Sequence, residues 1–422
     1  MQMSSTSTNS SPSHVESLKQ EDSQPSSSCL YETLKQRVCT TMLNPIHTTS
    51  ADPIFFRLAN EQDRESFSQL LSLRADCLVL DTILSQLKEL IKLENPSPTL
   101  TQEETNQFIN EKLNGRPQEE YGVWVYYPWK NTLIHLLDEK EFIRVRTIRN
   151  LYKITQEELE LLKTKKIGVV GLSAGHAVTL TMAMERGCGE LRLVDFDHLE
   201  LTNMNRLRTR VHELGISKAI ITKREIAEID PFLKVTFFNE SLSHENISTF
   251  IGSGENQLDL IVDECDNFPV KVLLRKECRK LGIPVVMEAS DRGLLDVERY
   301  DLDQTYPILH GRVPKEFLDL KEFTPEQAKK LLFSFLDPVE ASERGLESFL
   351  EIGKSITTWP QLASDVNLGG SVCAMTARMV LLNQGIKSQR TYVDVPNIIN
   401  PTTFNIVKKG MLLAKCFAKS LK

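Results

Sequence analysis

A chain of 422 residues, 41% of them hydrophobic, has enough apolar material for packed cores, in one large domain with additions or in two to three smaller ones. Its formal net charge of -7 excludes a protein that coats nucleic acid, because broad phosphate binding needs a basic face. The 8 cysteines form no CxxC pair and no His/Cys cluster at zinc spacing, and no run of about 18 apolar residues appears, so free thiols, a cytoplasmic location and no membrane span are expected.

Residues 1–28 are rich in Ser, Thr, Gln and Pro and have almost nothing to bury, which predicts a disordered tail. From about Cys29 to Pro98 the pattern is helical, clearest where Leu80, Ile83, Leu87, Leu90 and Ile91 recur at three- and four-residue steps. YGVWVYYP then reads as an aromatic strand, and NTLIHLLDEKEFIRVRTIRNLYKI as a strand followed by a helix. Residues 29–145 are taken together as an N-terminal α+β accessory region. In KKIGVVGLSAGHAVTLTMAMERGCGELRLVDFD the order is strand, glycine turn, helix, strand, a βαβ unit. KVTFF, LDLIVDECD and IPVVMEA continue as strands, separated by the helical stretches KAIITKREIAEI and FPVKVLLRKECRKLG. Such alternation predicts an α/β fold with a doubly wound, mostly parallel, Rossmann-like sheet over 146–422.

The chemistry concentrates behind two of these strands. A turn between a buried strand and a helix presents backbone N–H groups and the positive helix end to a phosphate, and Gly171, Ser173 and Gly175 occupy that turn. Asp195 ends the next strand about 20 residues on, where an acid accepts from ribose hydroxyls. A strict GxGxxG is not met, since Ser173 and His176 stand at glycine positions, and to this point NAD fits as well as ATP. A triphosphate needs donors spread further and a metal ion. Asp197, Asn203, Asn205, Arg206 and Lys218 follow Asp195, and Asp263 and Asp266 follow the next buried strand. Taken singly, Arg206 and Lys218 also read as exposed helix residues and Asp266 as a helix cap.

Taken in order, GLSAGH, DFD, TNMNR, GISK, IDP and DECDN resemble the pattern of the ThiF/MoeB/HesA superfamily, the ATP-dependent activating enzymes that include the ubiquitin-activating adenylation domains. The whole chain looks closest to a bacterial branch of long ThiF-like proteins, some fused to a nitroreductase-like domain and some assigned to molybdopterin biosynthesis. The resemblance implies an adenylyltransferase that activates a carboxylate as an acyl-adenylate with release of pyrophosphate. The substrate would be the C-terminus of a ubiquitin-like or sulfur-carrier protein, or a small acid. It implies that Gly171 and its turn, Asn203, Arg206 and Lys218 meet the phosphates, Asp195 the ribose and Asp266 a Mg2+ ion, with Asp197 and Asn205 also among the nucleotide-binding residues. In RVRTIRN, Arg146 and Arg149 match an R-x-x-R stretch from which, in ThiF-like homodimers, an arginine reaches the partner's ATP, so Arg149 joins Arg206, Lys218 and Asp266 as a catalytic candidate.

Two departures matter. The CxxC pairs of zinc-binding relatives are missing, so no zinc is expected, and no cysteine lies between residues 301 and 366, where thioester-forming relatives carry one. Cys265 and Cys373 read as core residues. His176 adds bulk where the helix should approach the sheet, which leaves open a nucleotide-free scaffold, with an NAD-dependent oxidoreductase as the other alternative. SDRGLLDVERYDL and YPILHGR read as polar stretches at the mouth of the site, with Asp291, Arg292 and His310 as substrate contacts or as ordinary loop polarity.

Overall fold

The computed structural model describes residues 27–42, 44–97, 99–318, 320, 323–401 and 406–420. They fall in two units, Met1–Thr48 and Thr49–Lys422. The first holds the helices Ser27–Met42 and Pro45–Thr48. The disorder expected for 1–28 falls outside the described residues except at Ser27 and Ser28, which open the first helix.

The second unit begins with a small sheet of strands β1 (Ile54–Phe56), β2 (Leu78–Asp81), β3 (Val123–Tyr127) and β4 (Thr132–Leu136), in the order β1-β3-β4-β2. β3 and β4 form an antiparallel hairpin with Val125 opposite Ile134. β2 runs parallel to β4 along one edge, and its Leu78, Val79 and Leu80 are exposed. The helical pattern expected across 29–98 is therefore interrupted by β1 and β2. Leu80 belongs to β2, while Ile83, Leu87, Leu90 and Ile91 form the buried face of the helix Ile83–Glu94. Asp81 separates the two by accepting the Ile83 N–H at 3.0 Å, a local bond that a count of apolar spacing does not register. The small sheet is fastened to the rest of the unit by the Tyr127 hydroxyl, which donates to the Ala227 carbonyl at 3.2 Å, and by the Trp129 indole, which donates to Glu228 at 2.7 Å.

The large sheet holds β5 (Lys166–Val170), β6 (Glu190–Val194), β7 (Lys234–Phe238), β8 (Leu260–Asp263), β9 (Val285–Ala289), β10 (Leu294–Glu298) and β11 (Gln389–Tyr392), in the order β11-β10-β9-β8-β5-β6-β7. β5 to β9 are parallel, whereas β10 and β11 are antiparallel to their neighbours. On one face Ile167, Val169 and Val262 pack with the helices Gly175–Glu185, Lys218–Ile229 and Ala363–Leu381. On the other, Val170 and Ile261 pack with Phe250, Leu273 and Leu274, the last two from the helix Phe268–Leu281. This is the doubly wound α/β arrangement, and strand order reverses between β5 and β8, where such sheets open a crevice.

One local feature differs from the sequence reading. LLDVE, taken as mouth polarity, is β10 with every residue buried, because Asp296 pairs with Arg390 and Glu298 with Arg275. QRTY forms β11 beside it. Gly369 and Gly370 lie inside the helix Ala363–Leu381; a Cβ at Gly370 would sit 2.7 Å from that of Ala177, so the bare backbone lets this helix press on Gly175–Glu185. Among the described residues no helix is long and apolar enough to cross a membrane.

Candidate functional site

A cleft of about 150 Å³ lies at the reversal point, walled by Gly171, Ser173, Asp195, Asp197, Lys218, Glu264, Cys265 and Asp266 among others. β5 runs into it through Gly171 at φ +88°, where a Cβ would sit 2.7 Å from the Glu264 carbonyl oxygen; only glycine fits both the angle and the space. Gly175 then opens the helix against Val169, with room for no Cβ. No side chain caps this helix, and the Ser173 hydroxyl is buried without a partner, a condition that costs roughly 1–3 kcal/mol unless a ligand relieves it.

The Asp195 carboxylate braces the turn. One oxygen accepts the Leu172 N–H at 2.6 Å and the other the Asp197 N–H at 2.7 Å. Burial nevertheless pushes its pKa up. The Asp197 side chain takes the Lys218 ammonium at 2.8 Å, and its carbonyl accepts the Lys218 N–H at 2.9 Å. Lys218 is thus a buried residue at the first position of its helix, not a solvated one.

Asn203, Asn205 and Arg206 lie on the loop between Asp197 and Lys218. Asn203 is buried and accepts the Glu200 N–H at 3.0 Å; Asn205 donates to the Gln361 carbonyl at 2.7 Å. Arg206 makes no ion pair among the described residues and bonds only within its loop, to the Thr202 carbonyl at 3.2 Å and the Asn205 side chain at 3.0 Å. Its Nε is buried and unpartnered, and desolvation pulls the guanidinium pKa down against the attraction of Asp266.

The exit of β8 separates the two acids paired in the sequence reading. Asp263 is fully buried, 3.1 Å from the Lys271 ammonium and bonded to Arg275, which also bonds Glu298. Burial works to raise its pKa, but Lys271 and Arg275 outweigh that and hold it at about 2. It is committed to the protein interior. Asp266 is exposed on the rim and does not cap the next helix; Asn267 does, accepting the Val270 N–H at 3.1 Å.

The remaining candidates lie elsewhere. Arg149 is exposed and makes no hydrogen bond or ion pair among the described residues, while Arg146 bonds Asp230 at 2.6 Å and the Met184 carbonyl at 2.8 Å, and Asn150 the Glu185 carbonyl at 3.0 Å. These contacts hold the segment at the far end of the 11-residue helix whose other end forms the turn, a span of about 16 Å. His176 does not wedge the helix from the sheet; Gly175 makes that approach, and the His176 ring turns to Glu225 at 2.6 Å. Asp291 bonds Ser342, Arg292 bonds Asp394 and Glu340, and His310 lies between the Tyr306 hydroxyl at 3.0 Å and Asp296 at 3.3 Å, so all three fasten the later part of the chain. Cys373 is a core residue with its thiol 3.5 Å from Glu264, but Cys265 is only half buried in the cleft wall, its thiol 3.1 Å from Asp263.

Sequence reasoning missed Phe196, Ser241, Leu242 and Glu264 in the cleft wall. Phe196 offered a signal: it is an aromatic in a polar loop, and the structure leaves it 58% exposed at the rim. Among the described residues no group of three or more His, Cys, Asp and Glu could hold a metal ion.

Residues 145–293 match the ThiF family. An uncharacterised protein of Mycobacterium tuberculosis is 41% identical over 278 residues, which are 66% of this chain and 38% of that protein. The chain therefore matches well under half the length of that relative. The tRNA threonylcarbamoyladenosine dehydratase of Bacillus subtilis is 30% identical over 199 residues, 46% of this chain and 76% of its own length. A probable molybdopterin-synthase adenylyltransferase of Porphyra purpurea is 32% identical over 180 residues, 42% of this chain and 46% of its own.

Proposed function

Because the chain belongs to the ThiF family, we propose that it activates a carboxylate with ATP. A carboxylate oxygen attacks the α-phosphorus, the bond from that phosphorus to the oxygen bridging to the β-phosphate breaks, and pyrophosphate leaves an acyl-adenylate behind. The observation that carries this reading is a glycine turn, an uncapped helix end and the buried, unpartnered Ser173 hydroxyl around one cleft, with the unpartnered Arg206 Nε on a neighbouring loop whose guanidinium is attracted by the rim carboxylate of Asp266. Such donors cost stability in the empty protein and gain it when phosphate oxygens accept from them.

In this reading Gly171, Ser173 and Gly175 carry the phosphates on backbone and hydroxyl donors, and Arg206, Lys218, Asn203 and Asn205 supply the charge and amides along the triphosphate. Asp195 has given one of its four acceptor directions to the turn and one to the Asp197 N–H, and keeps two for ribose hydroxyls. Asp197 holds Lys218 at the wall. Asp266, a free carboxylate on the rim, would hold Mg2+, which supplies charge neutralisation for the departing pyrophosphate. Arg149, unpaired and on a segment that Arg146 and Asn150 hold at the opposite end of the helix Gly175–Glu185 from its own turn, would serve the site of a second copy in a homodimer. Residues 146–422 would carry the chemistry and 29–145 act as an accessory region. The carboxylate would be the C-terminus of a ubiquitin-like or sulfur-carrier protein, or a small acid.

Melting curves with Mg-ATP and with NAD test the reading, since a ligand that binds only the folded state at 100 times its Kd adds about 2.7 kcal/mol. Mg-ATP should raise the midpoint and NAD should not. A shift with NAD alone would make the protein an oxidoreductase, and no shift with either a scaffold.

A further inference from the structure

Arg206 bonds only to its own loop, so its position is set by where that loop is pinned. Leu207 pins it through an apolar contact with Leu199, Ile216 and Ile220. Four residues after Arg206, Arg210 reaches Glu225 Oε1 at 2.6 Å, and Glu225 Oε2 lies 2.6 Å from Nε2 of His176, the second residue of the helix that follows the glycine turn. The phosphate turn and the Arg206 loop are thereby joined side chain to side chain through a carboxylate on a third element, the helix Lys218–Ile229.

We propose that Arg210, Glu225 and His176 form a clasp that holds Arg206 in register with the phosphate turn, which makes Arg210 a positioning residue for the triphosphate. The inference rests on the adenylation reading of the cleft. His176 is the reason the clasp exists: a glycine at that position would leave Glu225 without its inner partner and Arg210 with a carboxylate attached to nothing at the turn. An ordinary surface ion pair would contribute at most about 1 kcal/mol and would leave ligands indifferent to it. This one differs because its carboxylate is buried and shared, so the position of Arg210 is transmitted inward.

Arg210 is the useful probe, because its side chain is 55% exposed and its loss opens no cavity. The full chain carrying Arg210→Ala or Arg210→Lys is compared with the parent for binding of Mg-ATP and of adenosine by calorimetry, and for melting without ligand. Arg210→Ala should weaken Mg-ATP by about tenfold or more and leave adenosine unchanged, with a lower unliganded midpoint reporting only that the buried Glu225 carboxylate is left with His176 alone; Arg210→Lys should recover part of both losses. Equal Mg-ATP affinity in Arg210→Ala, or a parallel loss of ATP and adenosine, overturns the clasp. A parent that does not bind Mg-ATP overturns the adenylation reading itself, and the clasp with it.

Discussion

The Asp195 carboxylate accepts the Leu172 N–H at 2.6 Å, so the end of β6 holds the turn that ends β5. Asp195→Ala strands the buried Leu172 N–H, at roughly 1–3 kcal/mol, and frees the Asp197 N–H, which is part-buried and costs less. The variant should melt lower than the parent and lose the stabilisation by Mg-ATP, with Asp195→Asn between the two. Parent-like affinity for Mg-ATP in the alanine variant would remove Asp195 from the site.

Gly171→Ala should destabilise by about 2–5 kcal/mol, from a left-handed backbone and from overpacking against the rigid Glu264 backbone. Gly215 is the control: at φ +83° with nothing within 4 Å of a Cβ, its alanine variant bears the conformational cost alone, about 1 kcal/mol or a little more. Urea unfolding of both variants separates space from angle. Equal losses would mean that the approach of Gly171 to residue 264 is loose.

Glu264 and Glu288 predict an unusual pH response. Burial raises both pKa values well above the ordinary 4.5, to about 8 for Glu264 and about 9 for Glu288; Glu264 raises Glu288 further, while Asp263 raises Glu264 against the pull of Lys271. The Glu288 amide donates to Glu264 at 3.1 Å, while Glu288 Oε1 is buried without a partner. A folded-state pKa above the unfolded value means the folded protein binds more protons, so this contribution is complete below about pH 4.5 and is lost as pH rises through the folded values. Stability should therefore fall from pH 5 upward, by up to about 1.4 kcal/mol per unit for each group that stays protonated only in the folded state. Glu288→Gln should flatten the decline; an unchanged slope in urea midpoints between pH 5 and 8 would show that the pair is ionised in the folded protein.

The shared-site arrangement proposed for Arg149 predicts complementation. Arg149→Ala and Asp266→Ala should each lose most pyrophosphate exchange, an arginine supplied in trans being worth about a thousandfold or more. Mixing them should restore part of the activity, because one heterodimer site then keeps Asp266 and receives an intact Arg149. No recovery in a mixture shown to exchange subunits would confine Arg149 to its own chain or to no role.

What was legible in the sequence follows from how locally each feature is determined. β5 to β9 announce themselves as short apolar runs between breakers, and the cleft residues follow strand ends directly. β10 was hidden because Asp296 and Glu298 look solvated until Arg390 and Arg275 are brought to them, and Arg390 is far along the chain. β2 was hidden because its leucines run without a break into the apolar period of the next helix. His176 looked like an obstruction since a sequence does not tell which side of the helix a bulky residue leaves by. Asp263 and Asp266 stand three residues apart and face opposite fates, one locked inward by Lys271 and Arg275, the other open on the rim.

The order of the large sheet also bears on how the chain acquires its site. β5, β6 and β7 are neighbours in sequence and in space, and can close as a local unit. β8 must then return across the intervening chain to pair with the other side of β5, with Val170 opposite Asp263. The cleft lies at that seam, so it does not exist until β8 docks. A nucleotide held there would have no purchase on the early folding species; its effect should fall on the unfolding limb of a chevron, slowing escape from the native state while leaving the folding rate nearly untouched.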